Sequence, residues 1–419
     1  MNKLIHPAAR FEGNVLIPAS KSYAQRVLAC ALLSDGKTVV KGLGHSDDEL
    51  AALELLKASN ARLEWEGDTL IISGKDKLKF QKGELSFGES GLSSRMFTPI
   101  LATGSQPLVL TGHGSLSSRP MHIFDSVFSV LKVKFESNNG TLPFKLQGPL
   151  VPKSIELDGS LSSQFITGFM YAFAGNPLTR NERIRLKNPT SIPYIDLSID
   201  VLSAFGISVI RDNEELIFSG PYHFRDTEVT IEGDWSSASF LLVAAAVFGS
   251  IRLRGLDPES KQSDVRVLDA LKQFGAKVEW EGDDVIVSKS ECGNFELDAT
   301  HCPDLFPPLA VLGSYGNGIS KIHGVHRLKS KESDRALTIT EELGKLGGKV
   351  EIEGDTMIIY PKAKMIHSSV SSRKDHRIAM ACTIFALGSE APVLIEEAEA
   401  VSKSFPDFYN FIDELTAVK

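Results

Sequence analysis

Three near-copies of one phrase limit this chain more than any other feature of its sequence. They read Ala61-Arg-Leu-Glu-Trp-Glu-Gly-Asp-Thr-Leu-Ile-Ile-Ser73, Ala276-Lys-Val-Glu-Trp-Glu-Gly-Asp-Asp-Val-Ile-Val-Ser288 and Gly348-Lys-Val-Glu-Ile-Glu-Gly-Asp-Thr-Met-Ile-Ile-Tyr360. Alternating residues on both sides of a Gly-Asp turn make each a β-hairpin. Weaker copies are predicted at Ile207–Ser219, around Arg211-Asp-Asn, and at Val133–Leu146, around Asn138-Asn-Gly. Ahead of the hairpins lie apolar residues at helical spacing, as in Val267, Leu268, Leu271 and Phe274. The repeated unit is therefore strand, helix, strand, helix and hairpin.

A second phrase opens a helix in every unit. Its six forms are Ala19-Ser-Lys-Ser-Tyr-Ala-Gln-Arg26, Gly88-Glu-Ser-Gly-Leu-Ser-Ser-Arg95, Asp158-Gly-Ser-Leu-Ser-Ser-Gln164, Gly233-Asp-Trp-Ser-Ser-Ala238, Asp298-Ala-Thr-His-Cys-Pro-Asp304 and Ser371-Ser-Arg-Lys-Asp-His-Arg377. Successive starts lie about 70 residues apart, so six copies of one α/β unit account for nearly all 419 residues. A solenoid would repeat faster, every ~20–50 residues, and would need atypical end repeats. Two three-fold α/β domains fit better.

Charge narrows the partners. Against 45 Lys and Arg stand 53 Asp and Glu, a net −8, so no global positive field holds a nucleic acid or an anionic membrane. Any anion site must be a local basic cluster. The longest apolar run, Phe240–Phe248, is about half of the ~20 residues that span a bilayer, and Met1–Arg10 has no signal-peptide core. A cytoplasmic protein is expected. Cys30, Cys292, Cys302 and Cys382 form no C-x-x-C pair and read as reduced core thiols, and the scattered histidines make no metal motif.

Hydroxyl and small residues at a strand-to-helix turn serve either as N-caps or, through the free N–H groups of the first helical turn, as an anion site. Lys21, Ser22 and Arg26 are cations and a hydroxyl at such a turn, where a cation opposes the helix dipole unless an anion joins it. A solvated basic first turn is the alternative. Lys331-Glu-Ser-Asp-Arg335, preceded by Arg327-Leu-Lys-Ser, reads either as a salt-bridged surface helix or as part of an anion grip, and Asp375-His-Arg377 as an exposed turn or as part of the same grip. Asp35-Gly-Lys-Thr38 resembles the end of a P-loop but lacks its first glycine and leads into a strand.

Taken in order, Ser20-Lys-Ser22, Gly88-Glu-Ser-Gly91, Arg119-Pro120, Leu161-Ser-Ser-Gln164, Pro193-Tyr-Ile-Asp196, Gly233-Asp-Trp-Ser-Ser-Ala238, Lys331-Glu-Ser-Asp-Arg335, Asp375-His-Arg377 and Lys403-Ser-Phe-Pro-Asp407 resemble the motifs of the 5-enolpyruvylshikimate-3-phosphate synthases over essentially the full length. The resemblance implies two inside-out α/β domains, each of three βαβαββ-like repeats, joined by a double-crossover hinge. Residues 20–227 would form one domain, and 1–19 with 228–419 the other. It also implies transfer of the enolpyruvyl group of phosphoenolpyruvate to the 5-hydroxyl of shikimate 3-phosphate with release of phosphate, by a cytoplasmic monomer that uses no cofactor or metal.

Residue by residue, the resemblance assigns Lys21, Ser22, Arg26, Ser162, Ser163, Gln164, Ser191, Tyr194, Asp304 and Lys331 to shikimate 3-phosphate. Lys21, Gly91, Arg119, Gln164, Arg335, Arg377 and Lys403 fall to phosphoenolpyruvate, with Gly91 against the pocket in which glyphosate also binds. Asp304 would be the base at the hydroxyl. Glu332, with Lys21 nearby, would be the acid at the methylene, and His376 either tunes Glu332 or is structural. Departures from the common pattern are Glu89, Leu92, Ile192 and Arg327, and the Glu89 carboxylate would want Arg95 or Arg119 as partner. The alternatives are an enolpyruvyl transferase acting on UDP-N-acetylglucosamine, whose usual loop cysteine is missing before Arg119, and a non-catalytic anion-binding relative.

Overall fold

The computed structural model describes residues 1–329, 331–365 and 367–417. Hairpins form where the sequence predicts them: Arg62–Glu66 with Thr69–Ser73, Lys277–Glu281 with Asp284–Ser288, and Lys349–Glu353 with Thr356–Tyr360. The weaker copies become Lys134–Asn138 with Thr141–Gln147 and Ile210–Asp212 with Glu215–Ile217. Each turn needs a left-handed residue. Gly67, Gly282 and Gly354 take it at φ of 62°, 60° and 59°, and Asn139 and Asn213 at 51° and 52°; asparagine is among the few side chains that tolerate this region.

Each hairpin joins a parallel pair to complete a four-stranded sheet. Glu84–Ser86 runs parallel to Leu108–Thr111, which pairs antiparallel with Thr141–Gln147. The order recurs with Ile155–Asp158 beside Arg183–Lys187 and with Glu296–Asp298 beside Ser320–His323. Alternation along the strands turns one face inward, so Val40, Leu70 and Ile72 are buried while Trp65 and Ile210 stay exposed.

The chain divides into two compact units, Ala19–Glu232 and Met1–Pro18 with Gly233–Lys419. Strand Phe11–Leu16 pairs in parallel with Gly249–Arg254, and Lys3–Ile5 closes a three-stranded sheet against Val393–Glu396. Conversely, Thr227–Thr230 pairs in parallel with Thr38–Lys41. That pairing carries the Ala19–Glu232 unit past residue 227, the expected limit, because the strand completes the unit's first sheet.

The first helix of a repeat is the inner one. Every residue of Gly91–Leu101, Phe306–Ser314 and His376–Leu387 is buried, and apart from Arg95, His376 and Arg377 near the helix starts these helices are made largely of small or apolar residues. Helices Gly91–Leu101 and Ser163–Ala174 touch backbone to backbone, since a Cβ on Gly168 would stand 2.6 Å from the Arg95 carbonyl oxygen. Five of the six helix-opening motifs end in a side-chain N-cap: Ser20, Ser90, Ser162, Asp234 and Asp375. Each contributes about 1 kcal/mol. At the sixth, the 3-10 turn Pro303–Leu305 has no capping side chain, which leaves the Asp304 carboxylate for other partners. Among the described residues no helix is long and apolar enough to cross a membrane, and Phe240–Phe248 ends the buried helix Trp235–Phe248.

Candidate functional site

In the unit of Met1–Pro18 and Gly233–Lys419, three carboxylates and three cations meet at the start of helix Arg335–Lys345. The Lys331-Glu-Ser-Asp-Arg335 motif is not a surface helix. Asp334 accepts from the Leu337 N–H and caps the helix, so Arg335 is its first residue and Lys331 and Glu332 lie in the turn before it. Nor is Asp375-His-Arg377 an exposed turn, since all three residues are buried.

Arg335, 1% exposed, is the centre. Its Nε donates to Asp375 Oδ2 at 2.8 Å, Nη1 to Asp304 Oδ1 at 2.7 Å, and Nη2 to Glu332 Oε2 at 2.5 Å and Asp375 Oδ1 at 3.3 Å. Lys331 Nζ reaches Asp304 Oδ1 at 3.2 Å, and Arg377 Nη2 reaches Asp304 Oδ2 at 3.1 Å. Burial by itself would push the Asp304 carboxyl up, but Arg377, Lys331 and Arg335 together hold it well below the usual carboxylate range. Burial lowers Lys331, the pull of Asp304 notwithstanding. Arg335 and Arg377 are raised: burial opposes it, and their carboxylates overcome it. The cluster carries three positive and three negative groups.

Around it, Arg327 donates from Nη1 to the Thr300 carbonyl at 2.9 Å, and burial pushes its guanidinium down. Lys403 donates to the Lys374 carbonyl at 3.2 Å, one residue before Asp375. His376 is buried, with Nδ1 3.9 Å from Asp375 Oδ1.

The Ala19–Glu232 unit holds the other predicted residues. Lys21 Nζ donates to Asp48 Oδ2 at 2.7 Å, both side chains mostly buried, so it is not a solvated cation. Arg26 is 1% exposed and, among the described residues, bonds neutral acceptors: Ser198 Oγ at 2.8 Å, the Ser22 carbonyl at 2.7 Å and the Tyr194 carbonyl at 3.4 Å. Its guanidinium also lies 5.5 Å from the Tyr194 ring centre, and burial lowers its pKa. A buried cation among neutral oxygens favours an incoming anion. Ser191 is buried at a left-handed φ of 50° and starts helix Ile192–Ala204, which brings Tyr194 to Arg26.

Beside these, Ser162 accepts from the Gln164 N–H, Ser163 is buried behind it, and Gln164 Oε1 accepts from Arg95 Nη1 at 2.9 Å. Gly91 opens its helix so close to Arg119 that a Cβ there would stand 2.5 Å from Arg119 Nη1. Arg119 Nη2 donates to Ser115 Oγ at 3.3 Å. Glu89 accepts from the Ser115 N–H and lies 3.7 Å from His113 Nδ1, while Leu92 is buried in the core and Ile192 half-buried.

Sequence reasoning left Asp48 and Ser198 out, and quoted Asp375 in a motif without a role. The Ser46-Asp-Asp-Glu49 capping box predicts the helix that carries Asp48, but not its approach to Lys21. Nothing local marks Ser198, whose contact with Arg26 bridges 172 positions.

Residues 5–412 match the family model described as EPSP synthase (3-phosphoshikimate 1-carboxyvinyltransferase). A 3-phosphoshikimate 1-carboxyvinyltransferase of Clostridium kluyveri is 35% identical over 402 residues, covering 96% of this chain and 94% of that one. Its namesake in Clostridium novyi is 32% identical, covering 98% and 96%. An EPSP synthase structure from Acinetobacter baumannii superposes with a TM-score of 0.82 at 25% identity, covering 99% and 98% of the chains. The enolpyruvyl transferase NikO of Streptomyces tendae shares the fold, with a TM-score of 0.77 at 16% identity over 98% and 96%.

Proposed function

The chain belongs to the EPSP synthase family, and from that premise we propose that its two residue sets carry enolpyruvyl transfer from phosphoenolpyruvate to the 5-hydroxyl of shikimate 3-phosphate, releasing phosphate. The supporting observation is the Arg335 cluster, in which the acid and base candidates share Arg335 while Lys331 and Arg377 also reach the base candidate Asp304. Both substrates carry a phosphate and a carboxylate, and arginine forks suit such groups. In the Ala19–Glu232 unit, Lys21, Ser22, Arg26, Ser162, Ser163, Gln164, Ser191 and Tyr194 serve shikimate 3-phosphate, and Gly91 and Arg119, with Lys21 and Gln164 again, serve phosphoenolpyruvate. In the other unit, Asp304 and Lys331 serve the first substrate, and Arg335, Arg377 and Lys403 the second.

Addition takes the hydroxyl proton and protonates the methylene; elimination removes a proton from the resulting methyl group and gives one to the phosphate as its C–O bond breaks. Asp304 is the base, and Glu332, with Lys21, the acid. The cluster is already neutral without substrate. Each substrate anion that engages Lys331, Arg335 or Arg377 removes counter-charge from Asp304, raises its proton affinity and makes it a better base. Both carboxylates then stabilise positive charge developing at the reacting carbon. His376, 3.9 Å from Asp375 Oδ1, is either a structural residue or one that tunes Glu332.

We read the chain as a cytoplasmic monomer, as in the family, and sedimentation checks the monomer. Phosphate release with phosphoenolpyruvate and shikimate 3-phosphate, and none with UDP-N-acetylglucosamine, is the expected result. Release only with the nucleotide sugar, or with neither, overturns the reading.

A further inference from the structure

We infer that Asp375 is a positioning residue, which fixes Arg335 so that the Nη1–Nη2 edge of its guanidinium is the one offered to the phosphoenolpyruvate carboxylate. The inference rests on the function proposed above, which gives Arg335 to that substrate.

A guanidinium grips a carboxylate with two parallel bonds along either of two edges, the side edge Nε–Nη2 or the end edge Nη1–Nη2. Asp375 takes the side edge of Arg335 with both oxygens, at 2.8 and 3.3 Å. It is itself 0% exposed, and two further donors hold it: Ser333 Oγ on Oδ2 at 3.0 Å and the Arg377 N–H on Oδ1 at 3.0 Å. Four donors fill the four lone-pair sites of a carboxylate. A buried, saturated anion has no water to turn to, so this contact is permanent.

The end edge is held differently. Asp304 and Glu332 each make one bond to it, from separate residues whose side chains are 27% and 18% exposed. An arriving carboxylate exchanges two single bonds for a two-bond grip, and water solvates the groups it displaces. Asp375 thus decides which edge is free to exchange. Through the Arg377 N–H it also caps helix His376–Leu387, so one side chain sets the start of that helix and the plane of Arg335.

Asp375→Asn separates the two duties. Asparagine keeps an oxygen for the Arg377 N–H and caps helices as well as aspartate does. It also removes the charge and turns an NH2 toward the Arg335 Nε–H, donor against donor. The expected result is a KM for phosphoenolpyruvate raised roughly tenfold to a hundredfold, the scale of a lost charge-assisted bond. The KM for shikimate 3-phosphate should stay within about twofold, with kcat changed less and the thermal midpoint held. Ser333→Ala, which removes one donor to Asp375, should raise the same KM several-fold, and decides the matter if the Asn variant does not fold. An unchanged KM for phosphoenolpyruvate, or both KM values rising together with a lower midpoint, would reduce Asp375 to a helix cap and overturn the inference. Wild-type protein assayed alongside keeps the two questions apart, because absent phosphate release there overturns the functional reading instead.

Discussion

Replacing Gly91 with alanine tests the phosphoenolpyruvate assignment at the scale of one methyl group. The new Cβ would stand 2.5 Å from Arg119 Nη1 and 3.7 Å from Arg95 Nη1. Restoring ordinary contact pushes the Arg119 guanidinium back by about 1 Å. Arg119 is a flexible side chain, so the fold yields cheaply and the thermal midpoint should barely move. The ligand does not escape so lightly. A hydrogen bond to a charged group contributes about 1.5–3 kcal/mol, and a 1 Å misplacement forfeits roughly half, about 1 kcal/mol or a fivefold rise in KM. Glyphosate, the longer molecule that the family resemblance places in the same pocket, should suffer more from the added methyl than the compact substrate does. Steady-state kinetics in both proteins give the KM for phosphoenolpyruvate and the inhibition constant of glyphosate. If neither the KM nor the ratio of inhibition constant to KM rises, Gly91 and Arg119 do not border the pocket.

Gly168→Ala makes the contrasting case, because its Cβ would meet backbone, the Arg95 and Met96 carbonyls at 2.6 and 2.9 Å. Two buried helices must part, at a cost of about 1–3 kcal/mol, and a lower urea midpoint with a disturbed Gln164 site is expected; an unchanged midpoint contradicts the close packing. Glu332→Gln keeps an oxygen for Arg335 but removes the charge that competes for it, so phosphoenolpyruvate should bind the shikimate 3-phosphate complex several-fold more tightly while turnover drops at least ~10²-fold. Weaker binding, read by calorimetry, would show that Glu332 does not compete for that edge. Asp304 gives a pH signature. Its folded value lies well below the unfolded one near 3.8, so the folded chain holds the proton more weakly and the stabilisation is complete above that value. It fades as pH falls toward the folded value, so the stability gap between wild type and Asp304→Asn should narrow from pH 6 to pH 3.5. A gap that widens on acidification reverses the sign and refutes the electrostatics.

The repeats were legible because their cause is local. A hairpin turn demands a left-handed residue, and Gly67, Gly282, Gly354, Asn139 and Asn213 announce it. The strand exchange was not written in any residue: Phe11–Leu16 and Thr227–Thr230 look like the first strands of their own repeats, and only their pairing assigns them elsewhere. The site divides in the same way. Arg335 and Arg26 sit in the first two turns of their helices, where a charged residue ordinarily reads as solvated, and their burial comes with partners such as Asp375 and Ser198 that lie 40 and 172 positions away. The roles of Asp304 and Glu332 rested on family motifs, since two isolated carboxylates carry no signature of their own.

The pairing of the first strands also sets an order in time. As the chain is synthesised, Phe11–Leu16 emerges roughly 240 residues before Gly249–Arg254, and Lys3–Ile5 roughly 390 residues before Val393–Glu396. At ~5–20 residues per second the earliest strand waits about 20–80 s for its partner. Every strand of the Ala19–Glu232 unit, by contrast, finds its neighbours within that unit, from Thr38–Lys41 to the closing Thr227–Thr230. A strand made this early is thus paired late, and until Val393–Glu396 leaves the ribosome its unpaired N–H and C=O groups stand open to the wrong strand.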